Sequence, residues 1–127
     1  MATDKEFISV LRELWPENRM AVIVCAITGR SICEVLRLRS DQLTPYGVTF
    51  DDGALVSLPA DVCKALKRIS GVNFIFSHRF YADRTRTRQA VYKDIKRARK
   101  DIGVAAPITP GSVARMRLFL QRQERQA

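Results

Sequence analysis

Two groups of polar side chains between positions 84 and 100 carry the clearest chemistry in the chain. The first group alternates with threonine and then enters a predicted helix: Arg84, Arg86, Arg88 and Gln89. The second group recurs along and beside one face of that helix: Lys93, Lys96, Arg97 and Lys100. Arginine and glutamine can read guanine and adenine edges in the major groove of DNA, whereas lysine and arginine pair with phosphates. We therefore predict base or groove-edge contacts for the first group and phosphate contacts for the second.

The charge of the chain is concentrated in its second half. The net charge is +9, but residues 1–63 contain 6 Lys and Arg against 9 Asp and Glu, whereas residues 64–127 contain 16 against 4. A local excess of cations is typical of a surface that binds a polyanion. The alternative is a solvated basic surface without a partner. Because no acidic residue interrupts the alternating arginines, nucleic-acid contact is the favoured interpretation.

A helix must hold this basic face in place, and the sequence predicts one over Arg88–Ile102. Either Thr85 or Thr87 can cap its start, and Gly103 can end it. Apolar residues repeat on the side opposite the cations: Val91, Ile95, Ala98 and Ile102. One side of the helix is therefore expected to be buried and the other to face a partner.

Capping residues, apolar spacing and turn residues place the remaining elements. Three helices come first: one capped by Thr3 and ending near Leu14, one capped by Asn18 and ending at Gly29, and one capped by Ser31 and ending near residues 39–41. The next elements are a hairpin with strands at 48–50 and 55–58, a helix from Pro59 to residue 67 or 69, a candidate third strand at 73–76, a polar loop at 77–87 and, after the basic helix, a last helix from about Ser112. The expected class is mainly α (α+β), as a single domain over residues 1–127 with one small antiparallel sheet.

Three segments of the chain carry short motifs. Residues 28–39 read TGRSICEVLRLR, Leu58-Pro59-Ala60 follows the hairpin, and residues 108–115 read ITPGSVAR. The first resembles the pattern T-G-x-R-I-S-E-L-L-x-L of the tyrosine recombinases (phage-type integrases). The second is similar to that family's strand-to-helix junction, and the third to its T-P-H-x-L-R box. The resemblance covers about residues 18–120 and implies the helical fold of the family's catalytic domain, with a basic surface that holds duplex DNA.

The resemblance also implies that the cations which activate the DNA phosphate in that family are displaced here. Ser31 stands at the position of the first motif's arginine, with Arg30 one place early. Gly111 and Ala114 stand at the positions of the last box's histidine and arginine, with Arg115 one place late. Cleavage needs cations placed around the developing charge of the phosphate. We therefore expect no catalytic activity from these positions.

The family's general acid and nucleophile also lack counterparts. Its hairpin lysine would fall at residues 51–53, which are Asp-Asp-Gly. The chain ends about where the family would continue into the segment that carries its nucleophilic tyrosine, and no tyrosine follows Tyr92. A tyrosine recruited from Tyr46, Tyr81 or Tyr92 is the alternative within the chain. The expectation is a protein without catalytic residues, metal or cofactor.

These observations favour a non-catalytic, integrase-like DNA-binding protein that regulates transcription of a bacterial plasmid, phage or other mobile element. Its expected partner is double-stranded DNA, with self-association on DNA as a further option. The candidates for a central phosphate are Arg30, Arg115 and Arg117, for which the alternative is an ordinary surface role. Other readings are a recombination or partition accessory, a reduced recombinase completed by a partner chain's tyrosine, and an RNA binder, although the chain lacks an aromatic RNA-reading motif.

Several other residues receive structural rather than chemical roles. His78 lies in a polar loop and is expected to be solvent-exposed, not a ligand or base. Phe80 and Tyr81 could stack on a base or anchor their loop, and anchoring is favoured. The cysteines are expected to be reduced core residues: Cys25, Cys33 and Cys63. Because the chain has neither a long apolar run nor a signal-peptide pattern at its start, we expect a cytoplasmic, nucleoid-associated protein with no membrane partner.

Overall fold

The computed structural model describes residues 3–106 and Ile108. The helices are α1 (Asp4–Glu13), α2 (Pro16–Thr28), α3 (Ile32–Leu36), α4 (Ala60–Ile69) and α5 (Arg88–Ile102), with one turn of 3₁₀ helix at Ser40–Gln42. The strands are β1 (Leu43–Thr44), β2 (Gly47–Thr49) and β3 (Leu55–Ser57). The predicted combination of helices with one small antiparallel sheet is confirmed.

Local signals in the sequence determine the ends of α1 and α5. Thr3 and Glu6 form the predicted capping box, in which each backbone N–H donates to the other residue's side chain, at 3.0 and 3.2 Å. Thr87, rather than Thr85, caps α5 by accepting a backbone N–H at 3.2 Å. Gly103 ends α5 with a φ of 73°, a left-handed conformation that glycine adopts without strain. The basic helix therefore has the predicted bounds.

Two helix boundaries differ from the prediction. α2 begins with Pro16 as its first helical residue, where a missing N–H is tolerated. The predicted capping role of Asn18 is wrong, because this residue is only 2% exposed and lies inside the first turn of α2. α3 ends at Leu36 rather than near residues 39–41, because the chain then turns to pair with a distant segment. In that pairing, the N–H of Ile75 donates to the carbonyl of Leu38 at 3.2 Å.

The sheet contains the predicted hairpin but not the predicted third strand. β2 and β3 pair antiparallel, with Val48 opposite Val56. The third strand is β1, which pairs with β2 across a tight turn. Assigning a strand to residues 73–76 is therefore wrong. These residues run beside the end of α3 and form one isolated bridge, between Arg39 and Phe74.

The apolar side of α5 joins this helix to the rest of the core. Val91, Ile95 and Ala98 are at most 4% exposed, and Ile102 is half-buried, as the predicted stripe requires. α5 contacts α1 and α3 through this side. Asp94 shares the stripe and is also buried, at 6% exposure. The opposite side of α5 is left facing solvent.

Some predictions concern residues outside the described part of the chain. These are the last helix from Ser112 and, apart from Ile108, the motif at 108–115. Among the helices that the structure describes, none has the length and apolarity needed to span a membrane.

Ile95→Asp should strongly destabilise or unfold the protein, because it places an unpaired charge on the buried side of α5. The expected loss is roughly 3 kcal/mol or more of unfolding free energy, which is a large part of the stability of a small domain. Lys96→Asp introduces the same residue one position later on the exposed face and should change stability by only about 0.5 kcal/mol. Urea unfolding followed by circular dichroism measures both. Equal midpoints for the two variants would contradict the burial of this stripe.

Candidate nucleic-acid interface

The exposed face of α5 carries four of the predicted contact residues. All of them are exposed to solvent: Gln89, Lys93, Lys96 and Lys100. None of the three lysines forms an ion pair with a carboxylate whose side chain the structure describes. Their ammonium groups are therefore available to a polyanion from outside the chain.

Arg97 differs from these lysines because its guanidinium is engaged within the fold. Its Nε and Nη2 donate to Oδ1 of Asp94 at 3.0 and 2.7 Å, and its Nη1 donates to Asp101 at 2.9 Å. Its Nη2 also donates to the carbonyl of Glu13 at 2.7 Å. The hydrogen bonds to Asp94, and then Asp101, raise the pKa of Arg97. Four of its five N–H donors are thus used, so its main role in the structure is to tie α5 to the end of α1.

Asp94 is the residue on which this tie depends, and the sequence analysis missed it. Its Oδ2 accepts the backbone N–H of Trp15 at 2.9 Å and the side-chain amide of Asn18 at 2.7 Å. Its Oδ1 accepts the two bonds from Arg97. The available signal was a carboxylate inside an apolar stripe, three residues after Val91 and one before Ile95, where a charge is tolerated only with partners.

The loop that precedes α5 is held by backbone and hydroxyl hydrogen bonds. Thr85 donates its hydroxyl to the carbonyls of Leu36 and Phe76. The N–H of Arg86 donates to the same Phe76 carbonyl at 2.7 Å, and the N–H of His78 donates to the carbonyl of Arg84 at 2.8 Å. The alternating arginines therefore extend from an ordered segment.

The three alternating arginines do not have equivalent environments. Arg84 and Arg88 are exposed, and each guanidinium lies over a tyrosine ring, at 4.9 Å from Tyr81 and 5.9 Å from Tyr92. Arg86 is half-buried, and its Nε finds no hydrogen-bond partner among the described residues. Arg84 and Arg88 are thus the more accessible of the predicted groove contacts.

Arg30 lies at the hairpin and its charge is compensated. It contacts Glu34 at 3.0 Å and Asp52 at 2.8 Å, and its guanidinium lies 4.5 Å from the centre of the Phe50 ring. Hydrogen bonding, first to Asp52 and then to Glu34, raises the pKa of Arg30. The hydrogen bond from Arg30 lowers the pKa of both carboxyl groups. A phosphate here would have to compete with two carboxylates for this side chain.

The remaining candidate residues are partly outside the described part of the chain. Arg115 and Arg117, with Gly111 and Ala114, lie outside the described residues. Burial raises the pKa of Cys25 to about 12, so its thiol stays protonated near neutral pH. Within residues 3–106, no group of three His, Cys, Asp or Glu side chains is arranged to hold a metal ion.

An open groove beside α5 was not predicted. It has a volume of about 650 Å³ and lies between the start of α2, the loop around residues 78–80 and the first half of α5. Trp15 and Phe80 line it and are 56% and 76% exposed, so the expectation that Phe80 anchors its loop is wrong. His78 is half-buried rather than solvent-exposed: its ring centre lies 5.1 Å from that of Tyr81, and its Nδ1 accepts the N–H of Phe80 at 3.1 Å.

Arg30→Gln should destabilise the protein at pH 7 and much less at acidic pH. Folding lowers the pKa values of Glu34 and Asp52 from their ordinary 4.5 and 3.8, so their contribution is present above these values and is lost as the pH falls through the folded values. The difference in urea midpoint between wild type and variant should therefore be largest above the ordinary pKa values and shrink as the pH falls below them. Arg37→Gln, at an exposed arginine without an ion pair among the described residues, is the control. A midpoint difference for Arg30→Gln that stays constant with pH would contradict the ion-pair assignment.

Comparison with known proteins identifies no relative. No protein-family model matches the chain, and neither curated proteins nor solved structures give a match. The relationship to the tyrosine recombinases therefore stays a prediction based on three motifs. Two residues that stand where the family has a catalytic cation have a structural role here. Ser31 caps α3, and Asp52 forms an ion pair with Arg30.

Proposed function

We propose that the chain binds double-stranded DNA through the exposed face of α5 and the alternating arginines at its start, Arg84, Arg86 and Arg88, without cutting the DNA. One observation carries the proposal: Lys93, Lys96 and Lys100 are exposed on α5 without ion pairs among the described residues, while both acidic residues of this helix contact Arg97. A surface helix that served only solubility would pair these lysines with acids at the i+3 or i+4 positions. In α5, Asp94 and Asp101 pair with Arg97 instead of with these lysines.

The spacing of the lysines suits a DNA backbone. Lys100 lies seven positions after Lys93, which is roughly 10 Å along a helix. Over that length a duplex presents about six phosphate charges. The N-terminal end of α5 places Arg88 and Gln89 ahead of the lysines, and an α-helix fits the major groove, which is about 12 Å wide. In the proposed complex, this end reads base edges and the lysines hold the backbone.

The absence of cutting is part of the proposal. A site that cleaves DNA needs unpaired cations around the phosphate. At the hairpin, Arg30 instead contacts both Asp52 and Glu34. With the resemblance to tyrosine recombinases, this supports an integrase-like DNA-binding domain that regulates transcription on a plasmid, phage or other mobile element.

Removing the three lysines should weaken binding to all duplex sequences and reduce its dependence on salt. Each phosphate contact contributes about 0.9 to the slope of log K against log salt concentration, so Lys93→Gln/Lys96→Gln/Lys100→Gln should flatten the slope by nearly three. Fluorescence anisotropy of a labelled 20-base-pair duplex at several salt concentrations measures the slope. The matched control removes three charges from α4: Lys64→Gln, Lys67→Gln and Arg68→Gln. If both triple variants lose affinity equally, binding reflects overall charge and the proposed interface is wrong.

The purified protein should neither nick supercoiled DNA nor become covalently attached to it, with or without magnesium. The candidate nucleophiles are all exposed: Tyr46, Tyr81 and Tyr92. Burial of the tyrosines is therefore not the reason that we expect no attack on DNA. Arg30, the one candidate for a central phosphate that the structure describes, is paired with two carboxylates and so is not free to stabilise the transition state. Gel electrophoresis and denaturing detection of protein–DNA adducts test this. An adduct abolished by a single Tyr→Phe change would establish a recombinase-type activity instead.

A further inference from the structure

Aromatic rings and arginines alternate across the surface beside the start of α5. Trp15, Phe80 and Tyr81 are 56%, 76% and 53% exposed. The guanidinium of Arg79 lies 5.9 Å from the Trp15 ring centre and 5.5 Å from that of Phe80, and Arg84 lies over Tyr81. Residues more than sixty positions apart in the sequence thus form one patch of rings and cations.

This patch is not part of the hydrophobic core. Large aromatic side chains contribute to stability mainly when they are buried, and both Trp15 and Phe80 leave more than half of their surface in solvent. Their backbones are nevertheless fixed. The N–H of Trp15 donates to the buried Asp94 at 2.9 Å, and the N–H of Phe80 donates to the His78 ring at 3.1 Å. Ordered backbones that present open ring faces are typical of a binding surface.

The groove beside these rings is positively charged. Arg79, Arg86 and Lys93 line it, and none of them is paired with a carboxylate among the described residues. Of the two acids in the lining, Asp94 is neutralised by Arg97 and only Glu17 remains. The volume of about 650 Å³ lies within the range of small-molecule sites, roughly 300–1,000 Å³. The occupant should therefore be flat, partly apolar and anionic.

We propose that this groove binds an unpaired nucleotide of a DNA strand, with the base stacked on Phe80 beside Trp15 and its phosphate held by Arg79 and Lys93. Stacking on aromatic faces combined with cations along the backbone is the general way in which proteins bind single strands. The nucleotide can belong to a free single strand or be unpaired beside the duplex on α5. The inference extends the proposed function, but it depends on the aromatic residues rather than on the lysine face.

The single tryptophan of the chain makes the site observable, because a stacked base quenches indole fluorescence. The probes are a 12-nucleotide oligo-dT, a 12-unit abasic strand with the same phosphates, a fully paired duplex and a polyglutamate peptide of similar charge. Oligo-dT should quench Trp15. The abasic strand and polyglutamate should not quench it, and both should bind at least about tenfold more weakly, since they offer charge without a base.

Variants separate this site from the duplex interface. Phe80→Ala and Arg79→Gln should each weaken oligo-dT binding, with roughly 5- to 100-fold expected for the lost ring, and should leave duplex binding nearly unchanged. Lys96→Gln/Lys100→Gln should have the opposite pattern. Tyr46→Ala, at a 78% exposed ring on the hairpin turn, is the control and should alter neither. Circular dichroism should show all variants folded, because every altered side chain faces solvent.

The result that overturns the proposal is equal binding of oligo-dT and the abasic strand, or oligo-dT binding that Phe80→Ala does not change. Quenching by polyglutamate with the same dependence on Phe80 would also overturn it, in favour of an acidic protein partner. Failure of duplex binding alone, with oligo-dT still quenching Trp15, would remove the proposed function and leave this site in place.

Discussion

A buried carboxylate, Asp94, joins the basic helix to the rest of the protein. A charge on the inner side of a helix is strongly unfavourable unless it is paired. Here one oxygen accepts the Trp15 N–H and the Asn18 amide, and the other accepts two bonds from Arg97. Removing the acceptor would leave buried donors without partners, at about 1–3 kcal/mol each. The position of α5, and of everything on its surface, depends on this cluster.

Among the described cations, those bound to internal acceptors differ in kind from those on the outer face of α5. Arginine forms the internal ties, because its planar fork can donate to several acceptors at once. Arg97 connects two acids and a carbonyl, and Arg30 connects two acids beside an aromatic ring. Lysine, a single charge on a flexible chain, is left on the outer face of α5. The acids near these ties are thereby neutralised internally, so the positive field of the exposed lysines is little opposed.

The sequence predicted the elements whose signals are local. α5 has its cap, apolar stripe and terminal glycine within its own residues, so its bounds and its exposed face were predictable. The third strand was not, because pairing is decided between distant segments. Residues 73–76 look extended, but they meet the chain after α3, while two residues at the start of the hairpin complete the sheet. The short α3 has the same cause, since its expected last turn is the segment that pairs there.

The candidate site was predictable to the extent that it consists of exposed charge on one helix. The periodicity that placed Lys93, Lys96 and Lys100 on the outer face also placed Arg97 beside them, but periodicity does not reveal which cation finds an internal acceptor. The pairing of Arg97 with Asp94 depends on a tertiary contact, in which Trp15 and Asn18 at the start of α2 donate to the same carboxylate. The groove could not be predicted from the sequence either, because its aromatic rings come from segments that are far apart in the chain.

The lysine face and the aromatic groove share one support, and this constrains how they can work together. Trp15 is bonded through its backbone to the same carboxylate that fixes α5, and Lys93 belongs to both surfaces. A nucleic acid that contacted both would meet groups already held in position, so less ordering would oppose its binding. Their fixed separation would also favour DNA in which a paired segment lies next to an unpaired base. That preference would arise from the geometry of the support and would require no movement of the protein.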